Sequence, residues 1–167
     1  MTTKRILVAY GSKQGGTAGI ADEIGSALRE DGYETAVLPA RDVRDVSGYE
    51  AVVVGGSVYA GRWHRDASRF VRLHAEGLSD RPIWMFSSGP VDGSAEQHDL
   101  PPVRGLARHM ERLQAREHIT FGDSITASTP GWIARYLVRH AAAGDFHSPE
   151  QIQGWAHHIS AELADRP

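Results

Sequence analysis

Six consecutive residues near the start of the chain, Ser12-Lys13-Gln14-Gly15-Gly16-Thr17, combine two hydroxyls, a side-chain amide, a cation and two glycines. Placed directly before a helix N-terminus, such a run suits a phosphate. The exposed backbone N–H groups and the helix dipole attract the anion, and the hydroxyls of Ser12 and Thr17 add donors. The glycines let the backbone curl around it. No Gly-Lys-Ser/Thr ends the run and no Gly-x-Gly-x-x-Gly precedes it, which excludes a Walker A loop and the dinucleotide fingerprint. Two further small, glycine-bearing runs read as loops: Gly55-Gly56-Ser57-Val58-Tyr59-Ala60-Gly61 and Ser87-Ser88-Gly89-Pro90-Val91-Asp92. As neighbours they would accept a flat ring between them, with Tyr59 or Trp63 available to stack on it. No nucleophile–base constellation accompanies these loops.

The elements that must carry them follow from hydrophobic pattern. Residues 6–10, 51–54 and 83–86 are short, continuous apolar runs, 34–38 is a more polar one, and 118–122 alternates as an edge strand would. Continuous rather than alternating runs are what a parallel sheet covered on both faces requires. Between them lie four stripes at helical period: Ile20, Ile24, Ala27 and Leu28, stopped by Gly32; Ala67, Phe70, Val71, His74 and Leu78; Val103, Leu106, Ala107, Met110 and Leu113 behind Pro101-Pro102; and Ile152, Trp155, Ala156, Ile159 and Leu163 behind Ser148-Pro149-Glu150. Strands alternating with helices predict a doubly wound α/β fold with right-handed crossovers. Five strands in this length fit the order 2-1-3-4-5, with ligands at the carboxyl ends of the strands, beside the switch point between the first and third. All three loops fall at such ends.

Ser12-x-Gln14-Gly15-x-Thr17 resembles the phosphate loop of the flavodoxin-like family, and Gly55-Gly56-Ser57 and Ser88-Gly89 match its second and third loops. Within that family the chain looks most like the flavodoxin-type, menaquinone-dependent protoporphyrinogen oxidases. The features shared with them are the loop 12–17, the run Gly56-Ser57-Val58 through Gly61 and His64, the helix Phe70-Val71-x-x-His74-Ala75, and a stretch from Thr129-Pro130-Gly131-Trp132 to Gly144 inserted before the last helix. The resemblance implies a flavodoxin-like fold over essentially the whole chain, with an insertion at about 124–147. It also implies FMN as cofactor. Ser12, Lys13, Gln14, Gly15, Gly16 and Thr17 would hold its phosphate, and Ser57, Val58, Tyr59, Ala60, Gly61, Ser88, Gly89, Pro90, Val91 and Asp92 would frame its ring. The implied activity is oxidation of a reduced organic substrate such as protoporphyrinogen IX, with electrons passing to a quinone; the alternative is a non-catalytic carrier between redox proteins.

Composition narrows the field from the other side. The 167 residues include no cysteine, which excludes disulfides, thiolate zinc sites, iron–sulfur clusters and a cysteine nucleophile, so any redox chemistry must come from a bound cofactor. A net charge of −3 argues against a nucleic-acid surface, and it is also slight for a carrier that docks on basic reductases. Arg62, Arg65, Arg69 and Arg72 beside the second loop suit an anionic substrate instead. The nine histidines read as structural or solvated, with His64, at the lip of the second loop, set apart from them. Nothing resembles a signal segment, so the expected address is cytoplasmic. Ile133, Ala134, Leu137, Val138 and Ala141, with Trp132, Arg135 and Arg139, make 131–143 a candidate for peripheral membrane contact.

Overall fold

A computed structural model of the chain describes residues 4–12, 16–59, 62–89, 104–122 and 149–165. Five parallel strands form the sheet: β1 (Arg5–Gly11), β2 (Glu34–Pro39), β3 (Ala51–Tyr59), β5 (Ile83–Gly89) and β6 (Glu117–Gly122), in the order β2-β1-β3-β5-β6. This is the doubly wound order expected from the sequence, with one addition. A two-residue strand β4 (Arg62–Trp63) turns back antiparallel on the end of β3, pairing Val58 with Trp63 and Tyr59 with Arg62.

Alternate residues of each strand supply two cores. Ile6, Val8, Val53, Trp84 and Phe86 face α1 (Gly16–Glu30) and α5 (Pro149–Ala164). Leu7, Ala9, Val52, Val54 and Met85 face the opposite layer, α2 (Arg65–Leu73), α3 (Ala75–Leu78) and α4 (Arg104–Leu113). Burial on both faces is why the strands read as unbroken apolar runs. Helix α1 ends where Gly32 takes φ 95°, with Tyr33 N–H returning to the Leu28 carbonyl at 3.1 Å, a turn that favours glycine.

Two expectations are corrected. The second and third runs begin inside strands, since β3 continues through Gly55-Gly56-Ser57-Val58 to Tyr59 and β5 through Ser87-Ser88 to Gly89. Glycine in a strand marks close approach by a neighbour, and both glycines here are covered. A Cβ on Gly55 would lie 1.9 Å from the Phe86 ring on one face, and a Cβ on Gly56 would lie 2.5 Å from Trp63 Nε1 on the other. The stripe from Ala67 to Leu78 is also two helices, interrupted at His74, whose backbone (φ −107°, ψ 17°) leaves the helical region.

Candidate functional site

The carboxyl ends of β1, β3 and β5 lie side by side, which brings residues of the three sequence-predicted loops together. Gly11 pairs with Gly56, and Ser57 with Ser88, in the parallel registers. Ser12 follows β1 half-buried, and Gly16 opens α1. Thr17, in the first turn, is buried, and its Oγ1 lies 2.5 Å from Ser88 Oγ on β5, 71 residues away. The first turn of α1 carries no acidic side chain, so its N–H groups and dipole meet no carboxylate of their own. Ser57 and Val58 are half-buried at the end of β3; Tyr59 ends that strand, and Gly89 ends β5. Lys13, Gln14, Gly15, Ala60, Gly61, Pro90, Val91 and Asp92, the side chain of Tyr59, and the stretch 124–147 with its expected amphipathic run at 131–143 lie outside the described residues. Chemically, the described part offers two hydroxyls and a helix N-terminus for an anion, and a row of small residues along the strand ends.

Two aromatic expectations change. Trp63 is 6% exposed and packs over Gly56, where the missing side chain makes room for the indole. His64 is engaged in structure. Its N–H donates to the Ser57 carbonyl at 2.8 Å, closing the β3–β4 hairpin, and its Nδ1 caps α2 by accepting from Asp66 N–H at 3.1 Å.

The arginines separate. Arg62, Arg65 and Arg72 line one groove of about 650 Å³ together with Trp63, Ser68 and, from α4, Arg108. Arg69 is instead in a smaller hollow with Arg41 and Asp66, because it lies on the next face of α2, one residue beyond Ser68. Arg108 went unnoticed in the sequence because it belongs to another helix.

A second pair also escaped notice. His118 Nε2 lies 2.8 Å from Ser87 Oγ, on the sheet face opposite Ser88. Strand parity could have signalled it, but only after β5 was extended past Phe86. Ser87 is 2% exposed, so the pair is structural rather than a nucleophile and its base. Burial lowers the His118 pKa from 6.5 to about 4. The folded protein therefore holds a neutral ring where the unfolded chain takes up a proton. This contribution to stability is fully present above pH 6.5 and drains as pH falls toward 4. Between pH 7 and pH 5 the loss amounts to roughly 2 kcal/mol. Urea unfolding at the two pH values checks it: His118→Gln should lose less than the wild type over that interval, and equal losses would refute the assignment. His157 and His158 pair with different carboxylates, Asp31 at 2.6 Å and Glu162 at 2.6 Å, and do not act together. No helix among the described residues is long and apolar enough to cross a membrane.

Comparison with known proteins gives four results. The flavodoxin domain family model matches residues 7–148. The chain is 27% identical, over 179 residues, to protoporphyrinogen IX dehydrogenase (quinone) of Escherichia coli strain K12, with 98% of each chain covered. Its fold matches a flavodoxin from the domain Archaea (TM-score 0.65, 17% identity, 96% of this chain and 99% of that one). It also matches a Fusobacterium nucleatum flavodoxin variant solved bound to flavin mononucleotide (TM-score 0.57, 15% identity, 96% and 97%).

Proposed function

Because the chain belongs to the flavodoxin domain family, we propose that it is an FMN-dependent oxidoreductase that takes electrons from a reduced organic substrate, of the protoporphyrinogen IX class, and passes them to a quinone. The observation that carries the reading is the meeting of Thr17 and Ser88 at the N-terminus of α1, where the first and third loops converge. The donors present fit FMN. Hydroxyls and a helix N-terminus whose first turn bears no acidic side chain suit a phosphate, and the strand ends beside them carry the small residues Ser57, Ser88 and Gly89. In this reading Ser12, Lys13, Gln14, Gly15, Gly16 and Thr17 hold the phosphate. Ser57, Val58, Tyr59, Ala60 and Gly61 border one side of the ring, and Ser88, Gly89, Pro90, Val91 and Asp92 the other. Bound FMN supplies the ability to accept an electron pair from one partner and release it to another; the chain supplies binding, orientation and local polarity. The near full-length similarity to a quinone-dependent dehydrogenase supports an enzyme, and so does the arginine groove, where a carrier docking on basic partners would present acid. The chain is read as one such unit with 124–147 inserted.

The test starts from the visible spectrum of the purified protein after incubation with FMN. A bound-flavin spectrum, reduction in a single two-electron wave and rapid reoxidation by a soluble menaquinone analogue are expected. Absence of flavin absorbance sinks the cofactor assignment. Two well-separated one-electron potentials with negligible quinone turnover would make the protein a carrier.

A further inference from the structure

The arginine groove has a composition that the cofactor site does not explain. Arg62 from β4, Arg65 and Arg72 from α2, and Arg108 from α4 converge on about 650 Å³, with the Ser68 hydroxyl between them and Trp63 at the side. Among the described residues no carboxylate lines this groove. Among the described residues, the one carboxylate within ion-pair reach of any of the four guanidinium groups is that of Asp66, 3.9 Å from its own neighbour Arg65. Four cations from three elements repel one another unless something anionic joins them, and in a chain of net charge −3 they are not a by-product of general basicity. A neighbouring group registers the same field. His109, whose ring lies 6.4 Å from that of Trp63, has its pKa lowered by burial and by the charges of Arg72 and Arg112.

We infer that this groove binds a small organic anion carrying at least two carboxylates, held by Arg65 and Arg72 on one wall and Arg108 on the other. Guanidinium forks match carboxylates in bidentate geometry, and two walls of them select for two carboxylates on one molecule over a single charge. The volume is that of a site for a small molecule. The groove also adjoins the cofactor loops, because the hairpin that ends in Ser57, Val58 and Tyr59 delivers Arg62 and Trp63 to it. That the anion is the electron donor rests on the oxidoreductase reading above; that the groove takes a dicarboxylate does not.

The experiment separates the two. Protoporphyrin IX, whose charged groups are two propionates, is titrated by fluorescence into the FMN-incubated protein, with its dimethyl ester as the neutral control. Arg72→Glu/Arg108→Glu should weaken the diacid at least 30-fold while leaving both the ester affinity and the flavin spectrum unchanged, and added salt should weaken the diacid in the wild type. A variant that binds the diacid as the wild type does overturns the proposal. So does a variant that keeps the diacid but loses binding to vesicles of anionic lipid, which would make the groove a membrane contact. Arginine-dependent diacid binding by a wild type that takes up no flavin upholds the groove and overturns the oxidoreductase reading.

Discussion

A Gly55→Ala variant is expected to lose about 3 kcal/mol of stability or more, the upper range for overpacking a core. The added methyl would stand 1.9 Å from the Phe86 ring, a separation no real contact shows. Phe86 cannot yield, because it is fully buried and wedged edge-on between Phe121 and Trp155, each about 6.1 Å away. Thermal unfolding should fall by about 6–12 °C for a domain of this size. Gly154→Ala supplies the opposite sign. Gly154 is exposed in α5 with nothing within 4 Å of an added Cβ, so alanine there should raise stability by about 0.5–1 kcal/mol through helix propensity alone. Equal melting temperatures for Gly55→Ala and the wild type would mean that Phe86 does not cover the strand.

The second large effect concerns the cofactor. Thr17→Val keeps the side-chain shape and removes the hydroxyl that meets Ser88 Oγ. Loss of a buried hydrogen-bonding group is worth about 1–3 kcal/mol, and here it also removes a donor from the proposed phosphate site. FMN affinity, read by quenching of flavin fluorescence, should weaken about tenfold or more, while Thr17→Ser should stay within a few-fold of the wild type. Unchanged affinity in Thr17→Val would show that the hydroxyl serves packing alone.

The strands, the doubly wound order and the convergence of three strand ends were legible in the sequence because a sheet buried on both faces demands unbroken apolar runs, and 6–10, 51–54 and 83–86 have them. What was misread turns on residues whose local meaning differs from their tertiary one. Gly55 and Gly56 have the composition of a turn, yet they are strand residues whose missing side chains let Phe86 and Trp63 close on opposite faces. Trp63, isolated in sequence among polar neighbours, reads as a solvent-facing ring; only the β3–β4 hairpin shows that it turns inward. The Ser87–His118 pair and the contribution of Arg108 to the groove join elements far apart in the chain, and no spacing rule announces such contacts. Thr17 and Ser88 were each singled out for a cofactor, but their direct contact became visible only when α1 and β5 were in place.

The parallel arrangement of the sheet has a kinetic consequence. Since β1, β3 and β5 all point the same way, α1 and α2 begin at one edge, and Arg62 and Arg65 stand at that edge too. Among the described residues, the opposite edge holds Asp31, Glu34, Glu50, Asp80, Glu117 and Glu162, of which Glu34 and Glu162 face Arg5 and Arg116. Among the described residues, the small net charge therefore hides a lengthwise separation of the groove's arginines from carboxylates at the far edge. Such an arrangement favours steering of an anion toward the arginine edge at long range, and a fall in its association rate with added salt is the expected result.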